Sequence, residues 1–172
     1  MVDIYRAMAK NKIGGRVIIA GITVFACVFS AALTMGREVV SDYVLYDSNQ
    51  VAAAEFIEEN TPPDACILTG TRHNNAVSSL TGRNIVCGSG TFLYFHGVNY
   101  QQREADVKEM YNNVGSAEEM LEKYGVDYIF VSSYERGAYS IDEQKLGEMY
   151  KCVYSGGDVK IYAVSTRAEQ NG

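Results

Sequence analysis

The chain has 172 residues, of which 47% are hydrophobic and 21% are charged, as in a typical globular protein. This composition excludes a disordered chain, a collagen and a coiled-coil rod, and the mean hydropathy of −0.11 excludes a chain that is membrane-embedded throughout. The net charge of −6 is uneven, because residues 1–16 carry +3 and residues 37–172 carry −9. Nucleic-acid phosphates require clustered Lys and Arg, so nucleic acid is not an expected partner.

The first predicted element is a transmembrane helix over residues 17–36, a run of 20 residues without a charge. A helix of that length spans about 30 Å, the thickness of the hydrocarbon core of a bilayer. Basic residues gather before it, which predicts a cytoplasmic segment over residues 1–16 and an extracytoplasmic domain after the helix, at the cell surface or in the periplasm. Two alternatives stay open: a cleaved signal peptide, whose apolar core is normally shorter, and a buried helix of a soluble domain.

The next segment is predicted to alternate helices with short buried strands. Asp47 or Ser48 can cap a helix that runs to about Asn60 and stops before Pro62 and Pro63. Apolar runs that end at glycines predict strands at 66–69 and 84–87, with a short helix or turn at 74–81 between them. The aromatic stretch 91–97 has no clear periodicity.

From Gln101 the pattern predicts a helix, followed by two more helices with S-x-x-E capping boxes at Ser116/Glu119 and Ser140/Glu143. A third strand is expected at 127–131, and Gly156-Gly157 predicts a closing hairpin. The fold class is therefore α/β: a three-layer Rossmann-like domain over residues 37–164, with a mainly parallel sheet and a C-terminal antiparallel hairpin. Residues 165–172 are a polar tail.

Motifs for catalysis, cofactors and metals are not found in the sequence. Of the four cysteines, three follow the apolar segment, and they form no C-x-x-C pair that would indicate zinc. They are interpreted as small buried residues. The sequence contains no P-loop, no G-x-S-x-G and no H-E-x-x-H, and Gly88-Ser89-Gly90 is not followed by the helix that a dinucleotide fingerprint needs. No catalytic, cofactor or metal residue is predicted.

Polar side chains follow each of the three predicted parallel strands. Ligands of open α/β sheets bind beyond the carboxyl ends of the strands, where three loops are expected. The loops contain Thr71, Arg72, His73, Asn74 and Asn75; Ser89, Tyr94 and His96; and Ser132, Ser133, Tyr134, Glu135 and Arg136. Such groups suit a polyhydroxylated or phosphorylated ligand.

Six of these residues are the candidate ligand-binding site: Arg72, His73, Asn74, Asn75, Tyr94 and His96. If the first two strands are parallel neighbours, their loops emerge at one edge of the sheet. The alternative is that these loops are polar because loops generally are, and that His96 simply packs beside Phe92 and Phe95.

The order of features resembles the extracytoplasmic C-terminal domain of polytopic glycosyltransferases of the GT-C superfamily, which includes protein mannosyltransferase-like enzymes and oligosaccharyltransferase catalytic subunits. The resemblance rests on E-N-T-P-P-D-A at 59–65, on T-G-T-R-H-N-N at 69–75 through Gly82-Arg83, and on Y-G-V-D-Y-I at 124–129. It covers about residues 17–163.

The resemblance implies partners: the membrane, a glycan or lipid-linked sugar, and the rest of a polytopic glycosyltransferase. In that superfamily the catalytic acidic residues lie in the first extracytoplasmic loop, among many transmembrane helices, whereas this sequence has one such helix and no tryptophan for the W-W-D-Y-G motif. The chain thus resembles a fragment that is not catalytically competent alone. Two other hypotheses are a stand-alone, single-pass anchored glycan- or protein-binding domain and an independent exported α/β hydrolase or transferase.

Overall fold

The computed structural model describes residues 13–164, which divide into two units. The first unit ends at Val44 and the second begins at Leu45. Most of the predicted cytoplasmic segment, residues 1–12, and the whole predicted tail, residues 165–172, lie outside the described residues.

The first unit is dominated by helix α1, Ile13–Val39. Its apolar part, Gly14–Val39, has a mean hydropathy of 2.4 over its best 18 residues, and none of that window is buried. Within residues 13–164 it is the one helix long and apolar enough to cross a membrane.

The second unit alternates helices and strands, and each element has defined bounds. In chain order they are α2 Ser48–Asn60, β1 Cys66–Leu68, a π-helix Val77–Thr81, β2 Asn84–Ile85, α3 Gly90–Phe95, α4 Gln101–Asn112, a 3₁₀ turn Val114–Ser116, α5 Glu118–Lys123, β3 Tyr128–Val131, α6 Ser133–Ala138, α7 Glu143–Met149, β4 Lys151–Gly156 and β5 Val159–Ala163. All five predicted strands are present within two residues of their expected bounds.

The strands form one sheet in the order β2-β1-β3-β5-β4. β1 pairs in parallel with both β2 and β3, whereas β5 is antiparallel to β3 and to β4. β1, β2, β3 and β4 therefore run in one direction and β5 opposes them. This confirms the predicted α/β class, with its parallel core and closing antiparallel hairpin.

The two faces of the sheet carry two separate hydrophobic clusters, because side chains alternate along each strand. On β3, Tyr128 and Phe130 pack with Ala53 and Ile57 of α2, as do Ile67, Ile161 and Ala163 of the neighbouring strands. The opposite side chains, Leu68, Ile129, Val131 and Tyr162, pack with residues of α4, α5 and α7, such as Met110, Leu121 and Leu146. Helices thus cover both faces, which makes the three layers.

The N-cap of α2 is the one predicted from the sequence, whereas the N-caps of α5 and α7 are not. Asp47 caps α2 as predicted, since its Oδ1 accepts a hydrogen bond of 2.8 Å from the Gln50 amide. Both predicted capping boxes are wrong. Ser116 lies in a 3₁₀ turn, which moves the N-cap of α5 to Ala117, and α7 is capped by Asp142, whose Oδ1 accepts from the Lys145 amide.

Two segments for which the sequence predicts no helix are helical in the structure. The aromatic stretch forms α3, in which no residue is buried. The residues after β3 form α6, and its capping box is Ser132/Glu135, an S-x-x-E pattern that the sequence prediction missed. The third loop of the predicted site is therefore a helical turn.

Tyr111 of α4 ties the two central parallel strands together. Its ring is buried against the sheet, and its hydroxyl lies 2.6 Å from the carbonyl oxygen of Phe130 and 3.0 Å from that of Leu68. The hydroxyl has one proton, which it donates to one of these carbonyls. Burial, with the nearby charge of Glu135 adding to it, raises the pKa of this phenol, so it stays a donor at physiological pH.

We expect Tyr111→Phe to lower the free energy of unfolding by about 1–2 kcal/mol, because the strand carbonyls lose a buried donor that water cannot replace. Urea unfolding followed by circular dichroism measures the change. Tyr94→Phe removes an exposed hydroxyl and is the matched control. Equal stability of the two variants would contradict the role given to Tyr111.

Candidate functional site

The candidate site lies at the carboxyl edge of the sheet, where β1, β2 and β3 end side by side. β1 leads into Thr69-Gly70-Thr71, β2 leads toward α3, and β3 leads directly into α6. Gly70 is required here, since a Cβ at this position would lie 2.5 Å from a ring carbon of Tyr134. The loop after β1 therefore runs directly against the first turn of α6.

A buried carboxylate, that of Glu135, joins these two segments. Its side chain is 2% exposed, and Oε1 accepts a hydrogen bond of 3.0 Å from the Gly70 amide. Oε2 accepts from the amide of Ser132 at 3.0 Å and from its hydroxyl at 2.5 Å. Both oxygens are thus satisfied within the fold, and this carboxylate holds the edge together.

Asn75 is also built into the fold. It is buried, and its Nδ2 donates to Thr69 Oγ1 at 2.7 Å and to the carbonyl oxygen of Gly70 at 3.0 Å. Its Oδ1 accepts from the Ser78 amide at 3.3 Å, near the start of the π-helix. The amide therefore shapes the loop.

Arg72 lines a small cleft at this edge, with a volume of about 10 Å³. Its Nε donates to the carbonyl oxygen of Asn74, and its guanidinium carbon lies 5.2 Å from the centre of the Tyr134 ring. The residues that line the cleft are Gln50, Arg72, Asn75, Ala76, Phe130, Ser132 and Glu135. At this distance from Tyr134 the guanidinium makes a cation–π contact with the ring, and a guanidinium is a group that binds phosphates and carboxylates.

The remaining predicted residues lie toward α3. The ring of His73 is 4.4 Å from that of Phe92, so the loop after β1 contacts this helix. Tyr94 is exposed and meets Phe95 edge-on, and His96 is exposed at the end of α3. Neither Tyr94 nor His96 lines the Arg72 cleft. Of the six predicted residues, Arg72 and Asn75 thus line the cleft, Tyr94 and His96 lie on or at the end of α3, and His73 and Asn74 lie in the loop between them.

Five cleft residues were not among the six candidates, and three of them are polar: Gln50, Ser132 and Glu135. The S-x-x-E pattern at 132–135, directly after a predicted strand, could have located the last two. No sequence pattern marks Gln50 as a cleft residue. It reaches the cleft because α2 begins at this edge, where Asn49 Nδ2 donates to Asp158 Oδ1 at 3.0 Å.

Beside the cleft, Glu143 of α7 forms ion pairs with two cations. Arg136 Nε lies 2.5 Å from Oε1 and Lys160 Nζ lies 3.0 Å from Oε2. The hydrogen bond from Arg136 is the main reason why the pKa of Glu143 falls to about 2. Asp106 of α4 is similar: its hydrogen bond from Lys123, at 2.8 Å, is the main cause that lowers its pKa to about 2.

These two carboxylates make stability depend on acid pH. Their folded pKa lies below the value near 4 of an unfolded chain, so their contribution is present above pH 4 and is lost as pH falls toward 2. We expect Glu143→Gln to reduce the loss of stability between about pH 5 and pH 2, as measured by urea unfolding at each pH. Glu119→Gln changes an exposed carboxylate of α5 and should leave the profile as in the parent chain.

No protein-family model matches this sequence, and no curated protein matches it. The fold is similar to the crystal structure of the C-terminal globular domain of an oligosaccharyltransferase from Archaeoglobus fulgidus, with a TM-score of 0.50 and 15% sequence identity. The match covers 70% of this chain and 99% of that domain. It establishes a shared fold, which is the α/β fold expected from the sequence.

Proposed function

We propose that this chain supplies the extracytoplasmic globular domain of a polytopic membrane glycosyltransferase, where it assists substrate or acceptor recognition and is not catalytically competent alone. The observation that carries the proposal is the shared fold, because the match takes in nearly the whole archaeal domain. An apolar helix long enough to span a bilayer precedes the α/β unit, as expected for a domain attached to a membrane enzyme.

The carboxyl edge gives the proposal a chemical basis. Arg72 offers a planar pair of donors, which suits the phosphate of a lipid-linked sugar or the carboxylate of an acceptor peptide. His96 and Tyr94 lie exposed on the neighbouring helix, where an imidazole can hydrogen-bond to hydroxyls and a phenol ring can stack on a sugar face. Recognition of a glycan or lipid-linked sugar at this edge follows from the same proposal.

A binding experiment on the full chain in lipid nanodiscs tests this role, with a lipid-linked oligosaccharide and an acceptor peptide as the two probes. We expect Arg72→Ala and His96→Ala each to weaken binding of at least one probe by about tenfold to a hundredfold, the effect of losing a charged contact of about 1.5–3 kcal/mol. Arg72→Lys keeps the charge but loses the fork, and should recover part of the affinity.

Lys108→Ala, an exposed cation on α4, is the matched control and should bind as the parent does. Melting temperatures are measured in parallel, because Arg72 also contacts Asn74 and Tyr134. A melting temperature lowered by several degrees with unchanged binding would mean that Arg72 only braces the loop, and would contradict the recognition role.

The membrane orientation is a second expectation of the proposal. The basic residues before α1 predict that the α/β unit lies outside the cytoplasm. A reporter that is active only outside the cytoplasm, fused after Gly172, should be active, and neutral replacements of Arg6, Lys10, Lys12 and Arg16 should weaken that bias. Activity of a cytoplasm-only reporter at the same position would overturn the orientation.

The alternative is a stand-alone, single-pass anchored glycan- or protein-binding domain, which the exposed aromatic helix α3 favours. Reading the DNA upstream of the Met1 codon separates the two. A continuous open frame with many apolar spans supports the glycosyltransferase, whereas a promoter and a ribosome-binding site directly upstream support the separate domain.

A further inference from the structure

Helix α3 and the turn after it form an exposed aromatic surface, made of Phe92, Tyr94, Phe95 and Val98. Their exposed fractions are 48%, 64%, 78% and 49%, in the same order. Single exposed apolar residues are normal on a protein, but a continuous group of three aromatic rings and a valine marks an interaction surface.

Contacts with the rest of the domain hold α3, and with it the aromatic surface, in place. Leu93, on the inner side of α3, packs against the core cluster, and the Val98 amide donates to the Leu93 carbonyl oxygen at 2.9 Å. Gly90 lets Tyr100 approach so closely that a Cβ would lie 2.6 Å from its ring. Local packing thus holds the rings outward in a defined arrangement.

The charge around the surface differs from that of the rest of the domain. Residues 65–103 contain three arginines and no Asp or Glu, whereas residues 37–172 as a whole carry −9. Phospholipid surfaces with anionic headgroups repel acidic protein faces and attract basic ones. Residues 86–102, which carry the exposed rings, contain no Asp, Glu, Lys or Arg, so this segment has no negative charge that an anionic bilayer would repel.

The segment between α1 and α2 is short. Eight residues, 40–47, connect α1 to α2, and fully extended they span at most about 26–29 Å. They lead into the first turn of α2, which lies at the carboxyl edge of the sheet. α3 follows β2 at that same edge, and His73 of the adjoining loop contacts it.

We propose that the aromatic surface of α3 docks on the lipid bilayer, as a second membrane contact in addition to α1. Phe92, Tyr94 and Phe95 then sit at the level of the headgroups, where aromatic rings are enriched in membrane proteins. The contact goes beyond the proposed function, because it requires neither a glycan nor a partner subunit. It orients the Arg72 cleft beside the membrane surface.

The absence of tryptophan from the sequence allows a clean test. Phe95→Trp is made in the full chain, which is reconstituted alone into vesicles of phosphatidylcholine and phosphatidylglycerol. Its emission should lie at shorter wavelength than that of an exposed tryptophan, and brominated lipids should quench it. Met149→Trp, at the end of α7 just before β4 begins at the opposite edge of the sheet, is the matched control and should be neither shifted nor quenched.

Phe92→Ser in the Phe95→Trp chain should reduce the quenching, since the docking surface then loses one of its three aromatic rings. Equal emission and quenching of Phe95→Trp and Met149→Trp would overturn the proposal. A shift without lipid quenching that grows with the density of protein in the vesicles would also overturn it, and would assign the surface to a second copy of the chain. Neither result would bear on glycan recognition, which the Arg72 variants test separately.

Discussion

The carboxyl edge depends on one buried interaction, the acceptance of three hydrogen bonds by the Glu135 carboxylate. Two come from Ser132 at the end of β3 and one from Gly70 after β1. A buried carboxylate is tolerated only when its oxygens are fully satisfied, because an uncompensated charge in the interior costs several kcal/mol. Because the Glu135 carboxylate needs hydrogen-bond donors from both segments, it holds the loop after β1 close to the start of α6. Tyr111 contacts the same two strands through the carbonyl oxygens of Leu68 and Phe130.

This arrangement separates structural polar groups from those that remain available for a ligand. Glu135 and Asn75 look like site residues in the sequence, yet their hydrogen-bonding capacity is used within the protein. Arg72, in contrast, lines the cleft with its guanidinium 5.2 Å from the centre of the Tyr134 ring, and its role there is the one proposed above. A rigid frame with few outward-facing groups suits recognition, since little ordering is required when a ligand binds.

Local patterns predicted most of the fold, and long-range contacts account for what they missed. Short apolar runs located the three parallel strands β1, β2 and β3, because burial on both faces leaves a strand little choice of residue type, and Gly156-Gly157 located the closing hairpin. The predicted capping boxes at Ser116 and Ser140 failed, since the same four-residue pattern is also compatible with a 3₁₀ turn or with a cap two residues later. The position of Gln50 in the cleft could not be predicted, because it depends on the contact of α2 with the hairpin.

That contact has a consequence for synthesis of the chain. Asn49 and Asp158, which share a hydrogen bond, are 109 residues apart, and β5 lies between β3 and β4 in the sheet although it is the last strand of the described chain. While residues 159–163 are still inside the ribosome, β3 has an unpaired edge that consists of Tyr128-Ile129-Phe130-Val131, and α2 lacks its neighbour at the hairpin. An open apolar strand edge is prone to incorrect pairing. The nascent domain therefore passes through a vulnerable interval that ends only when its final hairpin emerges.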